Sequence, residues 1–390
     1  MKIDPYKNKE TYFAWKEKVK NGIDGLGIEN SNIILSYLQD MEMGLNIARG
    51  SKKGPRSYIR LNTLKNRMVL LAKRFYEYFK VDPLVNIQEE QLHILFNNMR
   101  NGTIKKQNGK QYISPGDLVR DFKSFWHWHM RIERKKGNII QDICYSVDDS
   151  KDKPKWVYLT EEQIRKLCND AKYEYRILIM FLYDTGIRSP TELINVKVSD
   201  IYNDFKELNI RDEISKTFGR RIKLMLCSDL VKEYVKIKEL SSGDQLFPIS
   251  PPVFNKYLKR LAKKVLGDSE SLAGKKYCDI SMYDFRHCAC CYWLPRYKSE
   301  SALKYRFGWR KSDKIHYYSE MLGMKDTISE EDLLMDVTKT EIEQRLMKSE
   351  RDKEIMQERM KHMEEQMKKV INMFGEVSQK NLNNQIVRNC

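Results

Sequence analysis

Residues 183–193 have the sequence Tyr-Asp-Thr-Gly-Ile-Arg-Ser-Pro-Thr-Glu-Leu, and this stretch decides the interpretation of the chain. Gly186 is typical of a helix C-terminus. Ser189 and Glu192 have the spacing of a capping box, which predicts a second helix with Pro190 at its first position. Arg188 would then lie in the turn, next to a helix N-terminus that favours an anion. The stretch therefore predicts a cationic side chain that faces an anion.

Four further motifs follow along the chain. Lys216 lies just before Gly219, in the turn of a predicted hairpin with strands at 205–210 and 221–226. Residues 283–287 have the sequence Tyr-Asp-Phe-Arg-His, and residues 307–309 have the sequence Phe-Gly-Trp. Tyr318 follows that tryptophan by nine residues. Each motif alone is ordinary, but their order and separations form one pattern.

This pattern resembles the tyrosine recombinases, the integrase family that includes phage lambda integrase, Cre and the Xer proteins. The resemblance covers about residues 157–325 and implies a catalytic domain there. It implies Tyr318 as the nucleophile, Lys216 as the proton donor to the leaving oxygen, and supporting roles for Glu192 and His287. The full catalytic set that it implies is Arg188, Lys216, Tyr283, Arg286, Trp309 and Tyr318.

The second motif departs from the family pattern, because Tyr283 stands where most members have histidine. That substitution resembles integrases of archaeal plasmids and viruses with a Y-x-x-R motif. A phenol with an ordinary pKa of about 10 is a poor general base near neutrality, so water, a backbone group or a neighbouring side chain can replace it. His287 and His316 are the imidazole candidates; we expect His287 to support the site and His316 to face solvent. Tyr317 is the rival nucleophile.

The resemblance implies a site-specific recombinase that cleaves and rejoins duplex DNA through a covalent 3′-phosphotyrosyl intermediate. Two guanidiniums can clamp the non-bridging phosphate oxygens, so the chemistry needs no metal, ATP or other cofactor. Integration or excision of a mobile element, by a tetramer on paired sites, is the use we expect. The alternatives are Xer-like resolution of replicon dimers, a catalytically inactive sequence-specific DNA-binding protein, and a type IB topoisomerase.

Composition supports a polyanionic partner. The chain has 390 residues, with 71 Lys and Arg against 54 Asp and Glu, a net charge of +17. No apolar run approaches the roughly 18 residues of a membrane-spanning helix, and the N-terminus has no signal-peptide pattern. The sequence therefore predicts a cytoplasmic, nucleoid-associated protein that binds double-stranded DNA and no membrane.

The eight cysteines are scattered along the chain, which predicts reduced thiols. One cluster, residues 287–291, has the sequence His-Cys-Ala-Cys-Cys and raises the alternative of a zinc site. No second Cys/His pair lies at ligand spacing, and the segment continues as an apolar helix. We therefore predict that these cysteines pack in a core and that the chain binds no metal.

The part of the chain before the catalytic motifs predicts an all-α domain. Residues 1–30 resemble a loosely structured lead-in, and apolar periodicity predicts helices within residues 31–143. This bundle resembles the core-binding domain of the recombinases. Trp126 and Trp128 have helical spacing, so we assign them to the core in preference to base stacking. The candidate DNA-binding residues on its polar faces are Lys65, Arg67, Lys73, Arg74, Lys123, Arg131 and Arg134. The alternative is that these are ordinary solvated helix faces.

The remaining segments complete a multidomain fold. Residues 144–156 are predicted to be an exposed linker, 157–325 a mainly α, mixed α/β catalytic domain, and 326–339 a connector. Residues 340–374 are predicted to form a coiled-coil helix that pairs with itself, with this protein or with a partner, and 375–390 a tail. The a/d seam of that helix consists of Ile342, Leu346, Ser349, Lys353, Met356, Met360, Met363, Met367, Val370 and Phe374.

Overall fold

The computed structural model describes residues 3–45, 54–150, 153–297, 299–321, 353 and 355–367. The chain forms two compact units. One comprises Tyr6–Pro154; the other comprises Lys155–Cys390 together with Met1–Pro5. None of the described helices is long and apolar enough to cross a membrane.

The N-terminal unit is helical in its described part. Its helices are α1 (Asn8–Lys18), α2 (Ile28–Met43), α3 (Tyr58–Phe79), α4 (Glu89–Arg100) and α5 (Pro115–Lys135). Four of them, α2 to α5, lie where apolar periodicity predicts helices. Pro115 occupies the first turn of α5, where its missing N–H costs nothing.

Aromatic side chains form part of the core of this unit, together with aliphatic residues. Tyr37 packs edge-on against Phe125, with ring centroids 5.3 Å apart. Trp126 and Trp128 are buried, and their indole nitrogens donate to the Gln141 carbonyl at 3.0 Å and to an Asp40 carboxylate oxygen at 2.8 Å. The assignment of both tryptophans to the core is confirmed.

One prediction for this unit is wrong. Residues 8–18, within the supposed lead-in, form α1, and Tyr12 is its buried anchor. The helix escapes sequence detection because Tyr12 is its single buried residue, too few to make a periodic pattern. The predicted linker, residues 144–156, contains the division between the two units after Pro154, but Cys144, Val147 and Trp156 are buried, so the segment is not exposed throughout.

The second unit combines helices with a small antiparallel sheet. Strands β1 (Ile201–Tyr202), β2 (Glu207–Ile210) and β3 (Arg220–Lys223) are hydrogen-bonded in that order. Leu208 on β2 is opposite Ile222 on β3, and both side chains are buried. The helices are α6 (Glu161–Asp170), α7 (Tyr173–Thr185), α8 (Ser228–Ile237), α9 (Pro251–Leu266), α10 (Met282–Trp293), α11 (Glu300–Phe307) and α12 (Asp313–Met321).

Helices α7 and α10 pack together in the core of this unit. Helix α10 begins with a capping box between Ser281 and Asp284. Cys288, Cys290 and Cys291 follow on the same helix and are buried, and burial raises the pKa of all three thiols. The prediction that these cysteines pack in the core is confirmed.

The helix predicted to begin at Ser189 does not form. Residues 189–192 are a turn, followed by a short 3₁₀ segment, Leu193–Asn195. The Glu192 carboxylate, which would have capped a helix, instead accepts from the Arg188 backbone N–H at 3.1 Å and bonds to arginine side chains. Arg188 is therefore oriented by a buried carboxylate and not by a helix N-terminus.

Only part of the predicted coiled-coil segment is described. Residues 355–367 are helical, whereas 326–339, most of 340–374 and the tail 375–390 lie outside the described residues. One face of this helix contacts the rest of the second unit. Lys361 Nζ donates to the Asn169 carbonyl at 2.8 Å, and His362 stacks on Tyr173 with ring centroids 4.3 Å apart. Four seam residues remain exposed on a different face: Met356, Met360, Met363 and Met367.

Candidate active site

Gly186 ends α7 and creates the turn that presents Arg188. Its φ of +56° is in the left-handed region that side chains disfavour. A Cβ at this position would lie 2.3 Å from Phe307 Cε1 and 3.2 Å from the Ala289 Cβ. Both the backbone conformation and the close approach therefore require glycine here.

We expect Gly186→Ala to destabilise the second unit. The clash with Phe307 and the left-handed backbone together should lower the free energy of unfolding by about 2–4 kcal/mol. Chemical denaturation of the full chain would measure the change. Gly243→Ala is the matched control, because a Cβ at Gly243 meets nothing within 4 Å. Equal stability of the two variants would contradict the assignment of Gly186 as an obligatory glycine.

Glu192 links two arginines in the interior. Its Oε1 lies 2.6 Å from Arg188 Nη1 and its Oε2 lies 2.9 Å from Arg220 Nη2. Burial would raise the pKa of Glu192, but the guanidiniums of Arg220 and Arg188 outweigh it and hold the pKa at about 2. The carboxylate is therefore charged at neutral pH and fixes the Arg188 side chain.

Arg220 was missed by the sequence analysis. It is fully buried on β3, where its Nε donates to the Arg306 carbonyl at 2.9 Å. The available signal is strand alternation: Arg220 lies two residues from the buried Ile222, so it shares the inward face of the hairpin. A charged residue at an inward strand position indicates a buried partner, which is Glu192.

Arg286 on α10 meets Arg188 at the loop after α11. Arg286 Nη2 donates to the Phe307 carbonyl at 2.6 Å, and Arg188 Nη2 donates to the Gly308 carbonyl at 2.7 Å. Burial, with the nearby charge of Arg188, lowers the pKa of Arg286 to about 10, so it remains protonated at pH 7. Two positive guanidiniums thus converge on consecutive carbonyls.

Lys216 lies in the hairpin loop beside this pair. Its side chain is exposed. The next residue, Thr217, attaches the loop to the site: its Oγ1 donates to the Gly308 carbonyl at 2.9 Å and accepts from Arg188 Nη2 at 3.2 Å. The loop is therefore fixed next to the arginines, with the Lys216 side chain exposed on it.

Tyr318 on α12 is surrounded by aromatic rings. It stacks on Trp309 with centroids 6.0 Å apart and meets Trp156 edge-on at 6.2 Å. Its hydroxyl forms a hydrogen bond with Nδ1 of His287. Burial raises the pKa of the Tyr318 phenol, and the charge of Arg286 acts in the opposite direction. The neighbouring Tyr317 accepts a hydrogen bond from Trp156 Nε1 at 2.8 Å.

Of Tyr283, His287 and His316, only His287 differs from the role expected from the sequence. His316 is exposed, as expected. Tyr283 is 45% exposed and meets the edge of the His287 ring at 5.2 Å. His287, expected to act only through other residues, contacts the Tyr318 hydroxyl directly, and both rings contact Trp156. Burial lowers the pKa of His287 to about 4, so its ring is neutral at pH 7.

The N-terminal candidates for DNA contact divide into three groups. Lys65 and Arg74 are buried, which contradicts their assignment to a polar face; Lys65 lies over the Trp15 ring and Arg74 donates to the Lys105 carbonyl. Long aliphatic stems allow such residues to pack inside, which charge counting cannot detect. Arg67 and Arg131 form ion pairs with Asp121 and Asp40. Lys73 and Arg134 are exposed, and Lys123 is half-buried.

Helix α9 carries a basic face that the sequence analysis did not identify. Its 16 residues include five basic and no acidic side chains. Lys256, Lys259 and Arg260 are exposed on it. The absence of acidic residues across one amphipathic helix is the signal that would have indicated an anion-binding face. Among the described residues, no group of three His, Cys, Asp or Glu side chains could hold a metal ion.

Residues 157–323, which contain the arginine pair, the hairpin lysine and the Tyr318 site, match the phage integrase family. This match covers less than half of the chain. Its limits agree closely with the 157–325 segment delimited by the motifs. Among curated protein sequences, none matches the chain.

The fold of this chain is similar to that of integrases with solved structures. The Tn1549 transposon integrase in complex with transposon right end DNA has 14% sequence identity and a TM-score of 0.53, over 77% of this chain and 96% of that chain. A lambda integrase dimer bound to a COC′ core site has 15% identity and a TM-score of 0.55, over 77% of this chain and 98% of that chain. A lambda integrase tetramer bound to a Holliday junction has 17% identity and a TM-score of 0.51, over 73% and 76% of the two chains.

Proposed function

We propose that this protein is a site-specific tyrosine recombinase that cleaves and rejoins duplex DNA. The observation that carries the proposal is the convergence of Arg188 and Arg286 on the consecutive carbonyls of Phe307 and Gly308, in the same domain as the buried, hydrogen-bonded hydroxyl of Tyr318. A pair of guanidiniums suits the two non-bridging oxygens of a phosphodiester. A phenol among aromatic rings suits an in-line nucleophile.

In the proposed reaction, Tyr318 Oη attacks the scissile phosphorus and the bond from phosphorus to O5′ breaks. The product is a 3′-phosphotyrosyl link and a free 5′-hydroxyl. Arg188 and Arg286 stabilise the extra negative charge that develops on the phosphoryl oxygens. Because the covalent link keeps the energy of the phosphodiester, a 5′-hydroxyl from another duplex can reverse the step without ATP.

The roles of the remaining residues follow from their positions. Lys216, exposed on a loop that Thr217 fixes beside Arg188, would protonate the departing O5′. Trp309 packs between Phe307 and Tyr318 and would hold the phenol in place. Glu192 would act through Arg188. None of these steps requires a metal or an organic cofactor.

Exposed cations support DNA binding by each unit. Lys73, Lys123 and Arg134 remain candidates on the helical unit, for which we keep the core-binding assignment. On the integrase domain, α9 offers Lys256, Lys259 and Arg260. Such contacts would be largely to phosphates, so they would position the protein and make its affinity depend on salt.

Integration or excision of a mobile element is the biological role we propose, and we propose that the protein associates with the host nucleoid. The integrase fold and the likeness to the Tn1549 transposon and lambda integrases support it. Tyr283 in the second motif is the feature that favours a plasmid- or virus-borne integrase of the archaeal type. Resolution of replicon dimers would use the same site and chemistry.

We also propose that the exposed methionine row of residues 355–367 pairs with the same row of a second copy. The four methionines are spaced four, three and four residues apart, as in a coiled-coil seam. The four methionines are between 54% and 67% exposed, so the contacts of this helix with Asn169 and Tyr173 leave the methionine face open to solvent. A seam identical in every copy suits self-association, which a tetramer on paired sites requires.

Replacing Met360 and Met363 together by Gln should weaken self-association of the full chain by about tenfold or more, because four apolar side chains per pair lose their burial. Sedimentation equilibrium in the absence of DNA would measure it. Glu365→Gln, on the same helix but outside the seam, is the control. A wild-type chain that stays monomeric, or a double variant that associates like the wild type, would contradict the pairing.

The proposed function is tested with nicked duplexes tiled across the DNA element that encodes the protein. A nick just downstream of the scissile phosphate releases a short fragment after cleavage and traps the covalent complex. We expect a protein–DNA adduct stable to denaturing electrophoresis, formed equally well in EDTA. DNA binding without any adduct would support the inactive DNA-binding alternative. An adduct that disappears in EDTA would contradict the metal-free mechanism.

A further inference from the structure

We propose that His287, and not Tyr283, takes the proton from Tyr318 during DNA cleavage. The inference rests on the proposed recombinase function and adds to it the residue that activates the nucleophile. Tyr283 occupies the position where most tyrosine recombinases have histidine, so the proton acceptor of this chain needs another source. The structure supplies an imidazole four residues further along the same helix.

The main observation is the direct hydrogen bond between the Tyr318 hydroxyl and Nδ1 of His287. The residues lie on different helices, α12 and α10, so the contact is made by tertiary packing. Trp156 fixes the imidazole from one side, with ring centroids 4.7 Å apart and planes inclined by 25°. Nδ1 is therefore held next to the attacking oxygen, and the neutral tautomer with its proton on Nε2 can accept the phenol proton there.

The other groups around His287 are less suited to accept this proton. Tyr283 touches the imidazole edge, but its side chain is a phenol like the nucleophile and has no imidazole nitrogen to accept the proton. Asp284 is occupied: one carboxylate oxygen accepts from the Val157 N–H at 2.9 Å, and the other from the Ser281 N–H at 2.7 Å. The remaining charged neighbours of His287 are the cations Lys275, Arg286 and Lys314.

The charge state of His287 suits the role. Burial lowers its pKa to about 4, and the cations act in the same direction, so the ring is neutral and ready to accept a proton at physiological pH. DNA would reverse part of this effect, because a phosphate next to the ring favours the imidazolium. The base would therefore become stronger as the substrate binds and as negative charge develops on phosphorus.

The step balances as follows. The Tyr318 proton passes to Nδ1 of His287, which becomes an imidazolium, while a bond forms between Oη and phosphorus. The bond from phosphorus to O5′ breaks, and the leaving oxygen receives a proton from Lys216. In the rejoining step the 5′-hydroxyl attacks, Lys216 recovers its proton, and His287 returns its proton to the departing phenol.

The test compares His287→Asn with wild type in single-turnover cleavage of the nicked duplexes. Asn keeps a hydrogen-bonding group near the position of Nδ1 but cannot accept a proton at neutral pH. We expect His287→Asn to slow adduct formation by about 100-fold or more, within the range for loss of a general base. Tyr283→Phe should change the rate much less. Thermal denaturation would verify that both variants are folded.

A second substrate separates proton acceptance from proton donation. Sulfur in place of the scissile O5′ leaves as a thiolate, with a thiol pKa of about 8.5, and needs no proton donor. We expect this substrate to restore Lys216→Ala but not His287→Asn. For His287→Ala, added imidazole should restore part of the rate, which gives a second readout if the Asn variant is unfolded.

The outcomes are distinct. Wild-type protein that forms no adduct would overturn the recombinase proposal itself. Wild-type protein that forms the adduct, with His287→Asn equally fast, would overturn the role of His287 and leave the function intact. Rescue of His287→Asn by the sulfur substrate would also overturn it, because the defect would then concern the leaving group. A large loss in Tyr283→Phe with a normal His287→Asn rate would assign the role to Tyr283.

Discussion

Tyr318→Phe is expected to abolish covalent adduct formation on nicked DNA, down to the detection limit of the assay, while DNA binding persists. The substitution removes one oxygen, the atom that bonds to phosphorus in the proposed mechanism, and leaves the stacking of the ring on Trp309 in place. Loss of the hydrogen bond to His287 should change the free energy of unfolding by only about 1 kcal/mol. Denaturing electrophoresis and a binding titration, run in parallel, measure the two quantities.

Tyr317→Phe is the matched control for this experiment. The Tyr317 hydroxyl accepts from the Trp156 indole, so its loss removes a structural hydrogen bond and not the nucleophile. We expect the adduct to form, with at most a moderate loss of rate. The opposite pattern, an active Tyr318→Phe and an inactive Tyr317→Phe, would assign the nucleophile to Tyr317.

Glu192→Ala is the substitution for which we expect the largest loss of stability. It would leave the positive charges of Arg188 and Arg220 without the carboxylate that both contact, and Arg220 is fully buried. Breaking a buried ion pair by removing one partner costs about 3–5 kcal/mol. Chemical denaturation would measure this loss, and the rate of adduct formation should fall with it because Arg188 loses its anchor.

Control variants separate this network from a general charge effect. Glu213→Gln removes an exposed carboxylate, 58% exposed, that also contacts an arginine, and should change stability by less than about 1 kcal/mol. Glu192→Gln keeps the volume and should lie between the two. If Glu192→Ala unfolds at the same denaturant concentration as Glu213→Gln, the carboxylate does not organise the site.

The same network predicts a pH dependence. The pKa of Glu192 is depressed in the folded protein to about 2, below its ordinary value near 4.5. Its stabilising contribution is therefore complete above pH 4.5 and is lost as pH falls toward 2. The acid-induced loss of stability in this window should be smaller in Glu192→Gln than in the wild type.

The sequence contains the motifs of the candidate site in a recognisable order and spacing. It also predicts most of the helices, because helix formation depends largely on local patterns. Helices α2 to α5 have strong apolar periodicity, and α6 begins with Thr160 and Gln163 at the local spacing of a capping box. Gly186 ends α7 as predicted. Helix α1 escapes because its single buried residue, Tyr12, makes no periodic pattern.

The tertiary features could not be predicted in this way. Glu192 has the spacing of a helix cap, but the buried Arg220, 28 residues later, competes for its carboxylate and no helix forms. Lys65 and Arg74 lie on α3, which carries several basic residues, yet packing buries them. The contact between His287 and Tyr318 joins two helices and depends on Trp156, a residue in a segment that resembles a linker.

The structure also distinguishes the basic residues that form internal ion pairs from those that are exposed. The net charge of +17 indicates a polyanionic partner without saying which residues meet it. Several basic side chains neutralise buried or half-buried carboxylates, as Arg67 does with Asp121 and Arg220 with Glu192. The exposed residues of α9, Lys256, Lys259 and Arg260, are better placed to meet DNA.

Mapping the site of attachment in the wild-type adduct tests the account most directly. The trapped complex is digested with nuclease and protease, and the peptide that carries a nucleotide is sequenced by mass spectrometry. The account predicts one modified residue, Tyr318, joined to the DNA through a 3′-phosphate. A nucleotide on Tyr317 or any other side chain, a 5′-phosphate linkage, or the absence of a modified peptide from cleaved DNA would contradict it.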